Sequence, residues 1–121
     1  MDLHITILGS GSEGNATLIS SGDFGILIDS GFSKKELFRR LTVSGVSPNI
    51  IKALIITHEH RDHVGGARIV ADELDIDTYA NSLTANEMSK IDCLGKKHKA
   101  FVTGSVFAIE NFKNSPFQNF A

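Results

Sequence analysis

Residues 57–63 read Thr57-His58-Glu59-His60-Arg61-Asp62-His63 and run on into Val64, Gly65 and Gly66. Three of the chain's five histidines and the Asp62 carboxylate fall in six residues, in the pattern H-x-H-x-D-H. Packing imidazoles and a carboxylate this densely at the end of an apolar segment is costly unless something binds there. Along extended backbone, residues two apart point to the same side, so His58 and His60 can converge on one cation. Asp62 and His63 are adjacent and cannot share that face; a turn into a helix would aim them at a second point close by. Two cations about 3.5–4 Å apart make a hydrolytic pair. Mixed imidazole and carboxylate donors suit Zn²⁺, with Mn²⁺ or Fe as alternatives. The competing reading is a solvated, histidine-rich turn.

The flanking residues must position this cluster. Before it runs Lys52-Ala53-Leu54-Ile55-Ile56, an apolar strand pattern expected over 52–57. After it, Gly65 and Gly66 lead into a helical pattern to about Leu74, with Ile69, Val70 and Leu74 as the inner face. Upstream, strands are expected at 4–8, 16–19 and 24–28, the last two joined by a turn around Ser21-Gly22-Asp23. Ser33 and Glu36 fit a capping box opening a helix to about Ser44, with Leu37, Phe38 and Leu41 on its apolar face. Downstream follow a strand at 76–80 and a helix capped by Ser82 and reaching about Ile91. A final hairpin pairs 100–102 with 106–112 around Thr103-Gly104-Ser105. The unbroken apolar runs at 24–28 and 52–56 imply a sheet covered on both faces.

The motif His58-x-His60-x-Asp62-His63 resembles the signature of the metallo-β-lactamase fold. Gly9-Ser-Gly-Ser-Glu-Gly-Asn15 and Ile26-Leu-Ile-Asp-Ser-Gly31 resemble that fold's opening segments. Three further stretches, Ser33-Lys-Lys-Glu-Leu37, Gly45-Val-Ser-Pro48 and Thr78-Tyr-Ala-Asn81, are similar to its WalJ (YycJ) branch of bacterial cytoplasmic metallohydrolases regarded as DNA exonucleases. The resemblance covers most of residues 3–112.

It implies an α/β fold, the N-terminal ββα half of a metallo-β-lactamase αββα sandwich, over a partial domain at 1–121. It implies one or two Zn²⁺, with His58 and His60 on the first metal and Asp62 and His63 on the second. Asp62 would also be catalytic, orienting the attacking water. Asp29, ending an apolar strand before Ser30-Gly31, would be the family's structural Asp supporting the ligand loop; the competing reading is a solvated turn Asp. The family's chemistry is metal-assisted hydrolysis without a protein nucleophile. Its later ligands, a His, a bridging Asp and a last His, have no counterpart here. After His63 only His98 remains, inside Lys96-Lys-His-Lys99. Ser115-Pro-Phe117 resembles the approach to the next ligand histidine, but Gln118, Asn119, Phe120 and Ala121 follow instead. A fragment, an early stop, a frameshift or a half that dimerises would each end this way. The expectation is therefore a nuclease-like metallohydrolase; the alternative is an inactive remnant or interaction module with a partial metal site. An exposed half-sandwich face over 24–28, 52–56, Phe107, Ile109 and Phe112 would promote self-association.

Gly9-x-Gly11-x-x-Gly14 also matches the dinucleotide fingerprint, with Asp29 twenty residues after Gly9. That fingerprint needs a helix starting within the glycine run. Here the run feeds Asn15-Ala-Thr-Leu-Ile19, which is strand-like, so the nucleotide-binding reading is set aside. The glycines instead allow a tight loop beside the metal cleft.

Other features bound the reading. The net charge of −2 gives no whole-protein attraction for nucleic acid, so a nuclease would need a local basic surface. Lys96, Lys97 and Lys99 could contact phosphates, or form a solvated loop. One cysteine, Cys93, excludes an internal disulfide and fits a reducing cytoplasm; it reads as a small buried apolar side chain. No basic-then-apolar leader opens the chain and no apolar run approaches membrane-spanning length, so neither a signal peptide nor a membrane partner is expected. His4 reads as a strand residue. Glu59 and Arg61 alternate with the ligands and should point away from them.

Overall fold

The structure, a computed structural model, describes residues 2–102 and, beyond them, the backbone of two short strands at 107–108 and 119–120. Six strands form one sheet: β1 (His4–Gly9), β2 (Ala16–Ser21), β3 (Phe24–Ile28), β4 (Ile51–Ile55), β5 (Asp77–Asn81) and β6 (His98–Phe101). Their spatial order is their chain order. β1, β2 and β3 are antiparallel neighbours; β3 to β6 run parallel. Parallel neighbours need crossovers, and helices supply them: α1 (Lys34–Val43) between β3 and β4, α2 (Arg61–Val64) with α3 (Ala67–Leu74) between β4 and β5, and α4 (Ser82–Lys90) between β5 and β6.

The main core lies between the helices and one face of the sheet. Leu18, Leu27 and Leu54 stand in one cross-strand ladder and are fully buried. Against them pack Leu37 and Leu41 of α1, Val64 of α2, Val70 of α3 and Met88 of α4, all at 0% exposure. Burying a Leu-sized side chain is worth roughly 1.5–3 kcal/mol, so this layer holds the helices in place. On the opposite face Ile26 and Ala53 are also fully buried, with Tyr79 beside them. The two central strands are therefore covered on both faces, as their unbroken apolar runs require. The exposed large apolar residues at the β1 edge of the sheet are Ile5 and Ile7 of β1, at 70 and 68%, and Leu3 just before it, at 59%. That corrects the placing of an exposed face on 24–28 and 52–56; the side chains of Phe107, Ile109 and Phe112 lie outside the described residues.

Four local expectations change. Ser33 does cap α1, accepting from the Glu36 N–H at 3.2 Å. The Glu36 carboxylate, however, does not close the box; it turns to Arg39 at 2.7 and 2.8 Å and to Arg40 at 2.8 Å. Two guanidiniums in reach outcompete one backbone N–H. Asn81, not Ser82, caps α4 by accepting from the Leu83 N–H at 2.9 Å, and the Ser82 hydroxyl donates to the Phe101 carbonyl at 3.2 Å. Ile69 is 49% exposed, and the inner face of α3 is Ala67, Val70 and Ala71, with Leu74 packed against them. Finally, β7 (Phe107–Ala108) pairs antiparallel with β8 (Asn119–Phe120) in a separate two-stranded sheet. β6 pairs in parallel with β5. The proposed turn at 103–105 lies outside the described residues.

The Glu36 cluster gives a pH prediction. Hydrogen bonds from Arg39 and then Arg40 hold its carboxyl down at about 2, from an ordinary 4.5. A depressed folded-state pKa stabilises above the unfolded value and loses that contribution as pH falls. We expect the acid limb of the stability curve to flatten between pH 4.5 and about 2 in Glu36→Gln. The effect should shrink in high salt because the cluster is on the surface. An unchanged acid limb, or a Glu36 carboxyl titrating by NMR near its ordinary value, would contradict this.

Candidate metal centre

The site is assembled by three chain segments that meet at the ends of β1, β3 and β4. β4 stops at Ile55, and residues 56–60 continue without regular structure into α2. His60 is the residue before α2 and keeps extended backbone, with φ −67 and ψ 147. Asp62 and His63 then occupy the short helix.

Asp29, just past β3, is the anchor. It is 5% exposed and left-handed, with φ 64. Asp tolerates that conformation better than most side chains. Its Oδ1 accepts from the Thr57 N–H at 2.8 Å, and its Oδ2 accepts from the Thr57 hydroxyl at 2.6 Å. The same Oδ2 lies 2.7 Å from His63 Nδ1. Thr57 Oγ1, having spent its proton on Asp29, faces His58 Nδ1 at 2.9 Å as an acceptor. The network therefore places the protons of both His58 and His63 on Nδ1 and leaves both Nε2 lone pairs free. That is the tautomer a metal needs.

The remaining donors gather close by. His63 Nε2 is 3.7 Å from Asp62 Oδ2. Two donors about 2.0–2.2 Å from one tetrahedral cation stand about 3.4 Å apart, so this pair is spaced to share one. The His58 ring lies 4.9 Å from the His63 ring and 6.1 Å from the His60 ring, centroid to centroid. Two imidazoles sharing a tetrahedral ion would have centroids about 5 Å apart by the same bond lengths. The His58–His63 separation matches that value and the His58–His60 separation exceeds it. His63 approaches His58 more closely than a separate second point would require. Among the described residues, no three His, Cys, Asp or Glu side chains close on a single point as a finished cage. The donor chemistry and the tautomers fit a divalent cation; the geometry is gathered but open.

Two contributors were not singled out from the sequence as site residues. Thr57 carries the proton link between His58 and Asp29, and its position directly before His58 was the available signal. Asn15, at the end of the glycine run, bonds to Asp62; a polar residue after three glycines carries no such signal. The glycine loop itself leads into β2 and not into a helix. Its glycines make room for Phe32: a Cβ at Gly9 or Gly14 would stand 2.2 or 2.5 Å from that ring. His4 is an exposed β1 residue, and Cys93 is buried at 5%. Arg61 is exposed and Glu59 half-buried. Lys97 and Lys99 lie near Asp75 at 3.3 Å and Asp77 at 3.8 Å on the exposed surface, which reads as a solvated edge.

The sequence model of the metallo-beta-lactamase superfamily matches residues 9–92, spanning every residue of this site. The chain belongs to the metallo-beta-lactamase superfamily. It is similar to the exodeoxyribonuclease WalJ of Streptococcus pneumoniae, 36% identical over 91 residues that are 75% of this chain and 34% of that one. It is similar too to the exodeoxyribonuclease YycJ of Bacillus anthracis, at 33% over the same shares. The chain thus spans about a third of the length of these curated relatives. Among solved structures, the metallo-beta-lactamase SMB-1 in complex with mercaptoacetic acid superposes with a TM-score of 0.69 at 19% identity. That match covers 88% of this chain and 46% of the lactamase, and it shows the fold. Membership in this superfamily implies divalent metal ions. Among the described residues, no helix is long and apolar enough to cross a membrane.

Proposed function

We propose that the chain carries the first metal-ligand loop of a Zn²⁺-dependent phosphodiesterase of the exodeoxyribonuclease kind. The observation that carries this reading is the Asp29 network, which turns both His58 and His63 into Nε2 donors beside Asp62. The similarity to two exodeoxyribonucleases directs the substrate class toward DNA. In this reading His58, His60, Asp62 and His63 hold the cation or cations, and Asp29 and Thr57 fix the imidazole tautomers. Asp62 orients the attacking water by accepting its hydrogen bond. A divalent ion here supplies Lewis acidity toward a phosphodiester and acidifies water. Mn²⁺ or Fe would suit the same donors.

The open geometry favours one further reading, that the 121-residue chain binds metal without turning substrate over. Four donors spread over two cations give two each, where catalytic zinc ordinarily has three protein ligands. Calorimetric titration with Zn²⁺ and an assay on end-labelled DNA separate the readings. We expect saturable Zn²⁺ binding, abolished in the His58→Ala/His63→Ala double variant, with little or no DNA cleavage by the isolated chain. Absence of binding sinks the metal reading. Metal-dependent cleavage by a pure monomer would show that these four residues suffice.

A further inference from the structure

Asn15 makes more polar contacts to the ligand loop than its place in a glycine-rich turn requires. Its backbone N–H donates to the Asp62 carbonyl at 2.6 Å, and its carbonyl accepts from the Gly31 N–H at 3.1 Å. Those two bonds already fasten the loop to the end of β3 and to α2. The side chain adds a second set. Nδ2 donates to the Gly11 carbonyl at 2.9 Å, and it reaches both the Asp62 carbonyl at 3.1 Å and Asp62 Oδ2 at 3.0 Å. Oδ1 accepts from the Gly11 N–H at 3.1 Å. The amide cannot be reversed: a flip would set NH₂ against the Gly11 N–H and oxygen against two Asp62 oxygens. One amide hydrogen is therefore committed to Asp62.

We infer that Asn15 is a positioning residue for Asp62, holding Oδ2 at its 3.7 Å separation from His63 Nε2 so that both face one cation. The inference rests on the reading of Asp62 as a metal ligand. A carboxylate oxygen has room for one such N–H and one metal bond. Without the amide, an aspartate in the first turn of a helix turns toward the free N–H groups there. Ordering it again on binding would then weaken the metal. Outer partners of this kind typically change metal affinity 10–100-fold. The backbone bonds survive in any substitution at 15, so the side chain's effect is separable from the path of the chain. The glycine run thereby gains a role: Gly11 clamps Asn15, and Asn15 aims Asp62.

The test is a double-mutant cycle on the full chain, titrated with Zn²⁺ alone, with Co²⁺ absorption as a second readout of coordination. Asn15→Ala should weaken Zn²⁺ binding about tenfold or more and change the Co²⁺ spectrum. In the Asp62→Ala background the same substitution should cost nothing further. Circular dichroism and a thermal melt of the metal-free protein establish folding. If Asn15→Ala gives no cooperative melt, Asn15→Ser, whose hydroxyl is too short to reach Oδ2, takes its place in the cycle. No loss of affinity, or the same loss with and without Asp62, would overturn the inference and leave Asn15 a loop residue. If Asp62→Ala binds Zn²⁺ like the parent, Asp62 is not a ligand. The reading of the site then fails and the role of Asn15 with it, an outcome distinct from the preceding two.

Discussion

Asp29→Ala is expected to destabilise the fold by about 3 kcal/mol or more and to weaken metal binding at least about tenfold. The stability loss follows from what Asp29 satisfies. Truncation would strand the Thr57 N–H, the Thr57 hydroxyl and His63 Nδ1, which the carboxylate now holds at 2.8, 2.6 and 2.7 Å. The three bonds are part-buried, and hydrogen bonds to a charged group of this kind are worth about 1.5–3 kcal/mol each. Alanine would also have to adopt the left-handed φ of 64, which costs a further 1 kcal/mol or so. The affinity loss follows from the tautomers. With Asp29 gone, nothing in this network fixes the proton on Nδ1 of either imidazole. Asp29→Asn separates the two effects, because asparagine tolerates the backbone and can still accept from the Thr57 N–H. It should recover part of the stability and little of the affinity. Urea melts and Zn²⁺ calorimetry measure both. If Asp29→Asn matched the parent in affinity, the carboxylate would not be setting the tautomers.

Gly31→Ala should be at least as damaging, for a reason of space. A Cβ at residue 31 would stand 1.9 Å from the Asp62 carbonyl oxygen, 2.5 Å from its carbon and 2.9 Å from the Asn15 nitrogen. All three are backbone atoms in hydrogen-bonded segments, so none can swing aside. The chain after β3 would have to part from α2, breaking the Ser30 N–H to His63 carbonyl bond of 2.8 Å. We expect a loss beyond the roughly 1–3 kcal/mol of ordinary overpacking, seen as absent soluble protein or a non-cooperative melt. Gly25→Ala is the control. Its Cβ would meet only side-chain atoms of Leu18 and Ile50, at 3.1 to 3.4 Å, and should cost about 1 kcal/mol. Equal melts for the two variants would refute the steric argument.

The sequence made the strands legible and the histidine-rich loop conspicuous for different reasons. Apolar runs marked β3 and β4 because both faces of those strands are covered, leaving no polar alternation to dilute the signal. The H-x-H-x-D-H spacing was legible because metal donors are chemically conspicuous. Ile69 was misplaced because neighbours on a helix differ by about 100°, and choosing between Ile69 and Val70 as core needs the position of the sheet. Glu36 was misassigned because its competing partners, Arg39 and Arg40, sit on the same helix face, where spacing favours either outcome. Asn81 and Ser82 are both good caps, and only the start of α4 decides between them. Asn15 was beyond sequence reasoning altogether, since its partner lies 47 residues away. A polar residue acquires that role only when two loops are brought together by the sheet.

The strand order carries a kinetic consequence. Because β1 to β6 stand in the sheet as they stand in the chain, each strand after the first docks on one already made. No early strand waits for a distant partner, so loop-closure entropy is met in small instalments. During synthesis from the N-terminus, sheet growth can keep pace with emergence of the chain. Asn15, Asp29, Thr57 and His63 all precede β5, so the loop at 57–63 can be wired before the last two strands of the sheet exist. A nascent chain stalled just beyond Asn81 would then already protect the Thr57 amide from hydrogen exchange.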